Sequence, residues 1–187
     1  DGQVGQTPGS RRGDLHAHTH HSDAKGSLED LVAAARARGL AYLAVTDHNT
    51  VSHIPHLARL SAPDLLLIPG QEVSTYYGHA NVWGLATWQD FRCRTPQQMA
   101  RVCEAVRAAG GLFSINHPKR GGPPWELDLY DQADCLEVWQ APWFWGNHES
   151  LALWERLLRR GHRLVAVGGS DRHQPPFDGR LGVHEVG

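Results

Sequence analysis

Histidines and carboxylates recur in this sequence at six places, each at one end of a short apolar run. They are His16-Ala17-His18 with Asp23 close behind, Thr46-Asp47-His48-Asn49, Gly70-Gln71-Glu72, Gly78-His79, Asn116-His117-Pro118 and Gly168-Gly169-Ser170-Asp171-Arg172-His173. Imidazole and carboxylate ligands without thiolates suit zinc, manganese or iron in a hydrolytic site. Alternate residues of a strand share a face, so His16 and His18 can address one ion together. Asp171 and His173 have the same separation, on a predicted loop. Glu72 offers two oxygens and can bridge two ions. A single His-x-His says little; six clusters at strand ends are what a shared polynuclear site requires.

Other polar residues near these runs read differently. Asp47 is a turn or supporting residue rather than a ligand. Asn49 and Asn116 are either turn formers or groups that orient ligands and substrate. His20, His21, His53, His56, His148, His162 and His184 match no position in the pattern and read as solvated or locally bonded histidines.

The elements that must position these residues alternate in the α/β manner. Strands are predicted at Asp14–Ala17, Ala41–Thr46, Leu65–Pro69, Ala80–Leu85, Gly111–Asn116, Cys135–Gln140 and Leu164–Gly168. Between them lie amphipathic helices. Ser27 with Asp30 forms a capping box, Leu28, Leu31, Val32 and Ala35 share one face, and Gly39 supplies the stop. Thr95 before Pro96 starts a second helix, with Met99, Val102, Cys103 and Val106 inward and Gly110 at its end. A third follows Asn147, with Leu151, Trp154 and Leu158 predicted inward. Seven strands with intervening helices point to a barrel or a doubly wound sheet, and barrels gather catalytic residues at one end of their strands. Residues 1–12 read as a tail and residues 13–187 as one domain.

Composition narrows the function classes. Net charge is −2 with histidines neutral, which argues against nucleic acid as a partner. No apolar run reaches the length of about 18 residues that a membrane span needs. The three cysteines, Cys93, Cys103 and Cys135, are odd in number and widely spaced. A disulfide framework is not expected, which favours a reducing, cytoplasmic setting.

Taken in order, DLHAHTHHSD, TDHN, GQE, GHAN, NHP and GGSDRH resemble the PHP (polymerase and histidinol phosphatase) superfamily. GHANVWGL, EVWQAPW and ALWERLLRRGHRLVAVGGSDRH resemble its CehA/McbA, or carbaryl hydrolase-like, branch more closely. The resemblance runs from about residue 13 to residue 183. It implies a distorted (β/α)7 barrel holding two to three divalent ions (zinc, manganese or iron). It also implies the ligand sets: His16, His18, Glu72 and Asp171 for one ion; Glu72 as a bridge to a second held by His79 and His117; and Asp23, His48 and His173 for a third. Relatives commonly continue past this point, so a barrel that lacks a C-terminal closing segment is within the expectation.

The chemistry expected is hydrolysis by hydroxide held on the metals. Asp171 would orient that hydroxide or take its proton, and His48 or His173 would stand near the leaving group. Three divalent ions outweigh the carboxylates of Asp23, Glu72 and Asp171, which favours a small anionic substrate. Lys119, Arg120 and Arg172 follow ligand motifs and are candidates to grip phosphate oxygens; Asn49 is a further substrate-binding candidate. Trp139, Trp143, Phe144 and Trp145 are candidates for an apolar wall, with Trp143 foremost. The first expectation is therefore a phosphoesterase of small mono- or diesters. The second is a hydrolase of carboxylic or carbamic esters or amides. The third is a metal-binding scaffold without turnover. Oligomeric state is open.

Overall fold

A computed structural model describes residues 9–174 and the strand at 184–186. Eight strands form one sheet: β1 (Arg11–Asp14), β2 (Tyr42–Val45), β3 (Leu66–Thr75), β4 (Gly78–Trp83), β5 (Leu112–Ile115), β6 (Cys135–Gln140), β7 (Val165–Gly169) and β8 (His184–Val186). Helices α1 (Leu28–Ala37), α2 (Ile54–Leu60), α3 (Pro96–Ala108) and α4 (Asn147–Arg159) lie between them in sequence. The sheet order is β7-β6-β5-β4-β3-β2-β1-β8. Strands β1 to β7 curl into a nearly closed barrel with an unsealed seam, the distorted PHP-type architecture expected. At the seam the chain beyond β1 meets the chain beyond β7. Asp171 N–H donates to the His16 carbonyl at 2.7 Å and His18 N–H to the Arg172 carbonyl at 3.2 Å. β8 lies antiparallel on the outer side of β1.

The helix signals act as read. Ser27 and Asp30 form a reciprocal capping box, and Leu28, Leu31, Val32 and Ala35 are buried beneath α1. Thr95 caps α3, which buries Met99, Val102, Cys103 and Val106. On α4 Leu157 is buried and Trp154 packs against the core as expected, whereas Leu158 is 38% exposed. A helix that starts at Gly146 in a left-handed conformation enters at an angle that apolar spacing does not reveal. Helix α2 was not expected; it is 7 residues long and buries only Leu57, too little for a periodic signal.

The largest departures from the expected strand boundaries are at β1 and β3. β1 starts at Arg11, inside the stretch read as a tail, because it pairs with both β2 and β8. It also ends at Asp14, so His16 and His18 lie beyond the ladder. They still share a side, because Ala17 between them faces the outer core and bridges to Arg172. β3 runs on to Thr75 and turns back into β4, which is antiparallel to both β3 and β5. That reversal explains why His79 opens its strand while the other clusters close theirs: all face the same end of the barrel.

The two faces of each strand divide labour. Outward residues such as Val73, Ala80, Val82, Phe113, Ile115 and Leu136 join the core under the helices. Inward positions change character along the barrel axis. At one end Ala44, Ile68, Trp83, Cys135 and Val167 form a small apolar plug. Two and four residues further along the same faces stand Glu137 after Cys135, Glu72 after Ile68, and His79 before Trp83. The period of two that buries the plug therefore aims the ligands.

Among the described residues no helix is long and apolar enough to cross a membrane. Cys93, Cys103 and Cys135 are free and buried; burial pushes the thiols of Cys103 and Cys135 up to about 12.

Candidate metal centre

Glu72 is fully buried, and five imidazoles converge on its carboxylate. His48 Nδ1 lies at 2.8 Å, His79 Nδ1 at 3.2 Å, His16 Nε2 and His117 Nε2 at 3.4 Å, and His18 Nε2 at 3.5 Å. Asp171 adds a second carboxylate, with Oδ1 2.9 Å from His18 Nε2 and 3.3 Å from His16 Nε2. Three sets of potential ligands result, each with donor atoms within 4.8 Å of one another. The first is His16, His18, Glu72 and Asp171, as the resemblance implies. The second is His48, Glu72 and His79. His117 was expected there; it contacts Glu72 but falls outside that close set. The third is Asp23, His48 and His173 together with His18. It is the most open of the three, with the Asp23 side chain 62% exposed.

The donor atoms fit divalent cations. His16 Nε2, His18 Nε2, Glu72 Oε2 and Asp171 Oδ1 are buried and make no hydrogen bond. Each unsatisfied buried polar atom costs about 1–3 kcal/mol, so four facing one another demand a partner. Ligands bound at about 2.0–2.1 Å in a tetrahedron stand about 3.3 Å apart. The nitrogen–oxygen separations in the first set span 2.9 to 3.5 Å.

Electrostatics hold the carboxylates ionised. Burial alone would raise the Glu72 carboxyl, but His16, His117 and His48 outweigh it and keep it well below the usual range. Burial is likewise outweighed at Asp171 by His16 and His18. The carboxylates act back on the rings. Burial would lower His16, yet Asp171, Glu137 and Glu72 raise it well above its ordinary value. His48 and His117 are raised in the same way, chiefly by Glu72, against their burial. His18 is lowered, because burial wins there.

A second layer of polar groups fixes the first. Glu137 was not singled out from the sequence. It contacts His16 Nδ1 at 2.9 Å and accepts from the His117 main-chain N–H at 2.9 Å, so one carboxylate holds both the His16 ring and the turn that carries His117. A carboxylate on the far nitrogen of a ligand histidine sets its tautomer and orientation. Asn116 donates to Glu72 Oε1, Gln140 donates to Asp171 Oδ2, and Ser74 meets His48 Nδ1. Asp47 accepts from Thr19 and Ser22 and contacts the buried His53, which fixes the turn after His18 and makes it a supporting residue. Asp14, pushed up to about 6 by burial, accepts from the His16 and Ser170 N–H groups across the seam. His117 and Asp171 have φ of 29° and 50°. A left-handed turn at the end of β5 and β7 aims both side chains inward, and such strain concentrates at functional sites.

The substrate-binding candidates fall in different places. Lys119 is buried, and its ammonium donates to the Gln140 carbonyl and Asn147 Oδ1; it braces the loop and also lines the cleft over the ligands. The Asn49 amide is spent on both main-chain groups of Ser74, consistent with its φ of 54°. Trp143 packs on Trp139 and is absent from the walls of the cleft over the ligands. That cleft, about 520 Å³, is walled in part by His48, His79, His117, Asp171, Arg120 and Trp145. Arg120 and Trp145 therefore face the site. Arg172 serves the seam through its carbonyl and its bridge to Ala17.

Gly169 allows the seam to close over His16. A Cβ there would stand 2.2 Å from His16 Cβ and 2.8 Å from its backbone nitrogen. Gly169→Ala is expected to destabilise the fold by about 1–3 kcal/mol and to lower the metal content of the purified protein. Thermal unfolding and elemental analysis check this; an unchanged variant contradicts the packing described.

A family model described as the PHP domain matches residues 14–113. That span includes His16 through His79 but stops short of His117, Asp171 and His173. Over 50 residues the chain is 48% identical to the PolC-type DNA polymerase III of Streptococcus suis, covering 26% of this chain and 3% of the polymerase. A Bacteroides vulgatus two-domain protein containing a predicted PHP-like metal-dependent phosphoesterase superposes with a TM-score of 0.67 at 21% identity. The match covers 92% of this chain and 55% of that protein, so the chain spans about half its length. An amidohydrolase from Chromobacterium violaceum gives a TM-score of 0.63 at 18% identity, covering 94% and 92% of the two chains. At these identities the likeness is one of fold.

Proposed function

We propose, from the premise that this chain belongs to the PHP family, that it is a metal-dependent hydrolase of small anionic phosphate esters. The observation that carries the reading is the buried Glu72 carboxylate amid five imidazoles, with four ligand atoms left without hydrogen bonds. Two to three divalent cations suit the three ligand sets, with zinc, manganese or iron matching their nitrogen and oxygen donors. When bound, such cations acidify water and polarise an ester oxygen.

The chain's own residues supply the rest. Asp171, held ionised by His16 and His18, orients a water through its oxygens rather than removing a proton, because a group well below its ordinary range is a weak base. Glu137 and Asn116 keep His16 and Glu72 in place. Arg120, at the cleft wall, brings a guanidinium toward a phosphate. His173, a quarter exposed beside Asp23, stands at the open side of the site.

A second reading, hydrolysis of carboxylic or carbamic esters, draws on the aromatic surface at Trp145 and on the carbaryl hydrolase-like sequence motifs. The test is metal analysis paired with assays of aryl phosphate mono- and diesters, an aryl acetate and an N-methylcarbamate. Metal-dependent turnover of phosphates alone is expected. Turnover of carbonyl esters alone would establish the second reading, and bound metal without any turnover would leave a metal-binding scaffold.

A further inference from the structure

Next to the cleft over the ligands lies a second, larger hollow of about 760 Å³. The two share His79 and Pro123 as a common wall, so the second hollow adjoins the ligands. The chemistry of the second hollow differs. Tyr76, Tyr77 and Phe91 line it, together with Arg92 and Arg94, and no carboxylate does. Arg92 is already neutralised, with two bonds to Asp90 at 2.8 and 2.7 Å. The Arg94 side chain is exposed, and among the described residues only its backbone nitrogen is bonded, to Gln98.

Hydrogen bonds anchor the segments that carry these walls. The segment after β4 is pinned by reciprocal amide bonds between Gln71 and Gln89 and by Trp88 Nε1 donating to the Asn49 carbonyl. Trp88 in turn packs edge-on against Phe91. The β3–β4 turn is fixed by Thr75, which receives the Tyr77 N–H and donates to the Gly78 carbonyl. Gly78 has φ of 138° and presses against Trp125, where a Cβ would meet the ring at 2.5 Å. This leaves Tyr76 98% exposed at the rim. An aromatic wall with one uncommitted cation suits a flat anion.

We propose that this hollow binds the leaving group of the substrate, and that this group is an aromatic alcohol carrying a second anion, a carboxylate or a phosphate, held by Arg94. The inference rests on the phosphoesterase reading of the adjoining cleft. Hydrolysis there transfers the phosphoryl group from the aryl oxygen to water; the phenol that forms takes a proton and remains in the hollow until it leaves.

The test compares para-carboxyphenyl phosphate, the para-bisphosphate of hydroquinone, phenyl phosphate and ethyl phosphate on the metal-loaded protein. The two dianionic aryl probes distinguish carboxylate from phosphate as the distal group. At least one is expected to exceed phenyl phosphate in kcat/KM by about tenfold or more, the range of a charge-assisted hydrogen bond, mainly through KM. In Arg94→Gln that preference collapses toward unity, and in Phe91→Ala the preference for aryl over ethyl falls. Direct binding of para-hydroxybenzoate and of para-hydroxyphenyl phosphate, followed by calorimetry, needs no turnover. If no ester is hydrolysed but either compound binds wild type and not Arg94→Gln, the hollow stands and the hydrolase reading fails. Equal rates on aryl and alkyl phosphates, dianionic preference untouched by Arg94→Gln, or absence of both turnover and binding overturns the proposal.

Discussion

Glu72→Ala protein is expected to emerge folded, poor in metal and at least about a thousandfold less active. The carboxylate reaches five imidazoles and belongs to two of the three ligand sets. Its removal therefore weakens more than one ion at once. A bound divalent cation supplies several kcal/mol of transition-state stabilisation, and each 1.36 kcal/mol is about a factor of ten in rate. The same substitution removes the anion that raises His48 and His117, so in the metal-free variant these rings should titrate at lower pH than in wild type, which NMR can follow. Glu72→Gln keeps the shape and the contact with Asn116 while deleting the charge, and separates a packing defect from a ligand defect. Full activity in a metal-poor variant of either kind would falsify the assignment. Intact metal with lost activity would instead place Glu72 in catalysis without ligation.

The residues at the heart of this site were legible because each sits at the end of a short apolar run, and such runs are readable as strands. The period of two makes His16 and His18 neighbours, even though the ladder of β1 ends at Asp14. What the sequence hid was direction. Nothing in GHANVWGL states that β4 runs backwards, and only that reversal brings His79 to the same end as His48. Glu137 was hidden for another reason. It lies within an apolar run, as the inward neighbour of Cys135 two positions on, and a lone acid in a strand reads as solvent-facing until the barrel closes around it. The substrate candidates show how a residue beside a ligand in sequence can be drawn into bracing: Lys119 and Asn49 spend polar atoms on the main chain or on Asn147, while lining the two hollows beside the ligands. The aromatic run behaved similarly, delivering Trp145 to the cleft wall and Trp143 to a stack on Trp139.

Metal loading should raise the thermal midpoint by tens of degrees, and the gain should grow with pH. A ligand present at a thousand times its dissociation constant stabilises the fold by about 4 kcal/mol per site. Two filled sites contribute about 8 kcal/mol, and at about 2–4 °C per kcal/mol for a chain of this size the shift is roughly 16–32 °C. The pH dependence follows from the groups the cations displace. Without metal, His16, His48 and His117 are raised above their ordinary values. Their protonated forms stabilise the fold fully below about pH 6.5, and that contribution is lost as pH rises through the raised values. Glu72 and Asp171 are depressed, so their contribution is present above about pH 4 and lost on acidification below it. The metal-free protein should therefore be most stable in the window between these limits and weaken as pH rises above about 6.5, with His18, lowered by burial, opposing the other rings on the acid side. Cations compete with the imidazole protons, so binding strengthens as pH rises and releases protons as it does. Scanning calorimetry with and without a chelator, from pH 5 to pH 8, measures both curves. A gap between them that widens with pH is expected. Coincident curves would mean that the converging carboxylates and imidazoles hold protons and no metal, and the hydrolase reading would fall with them.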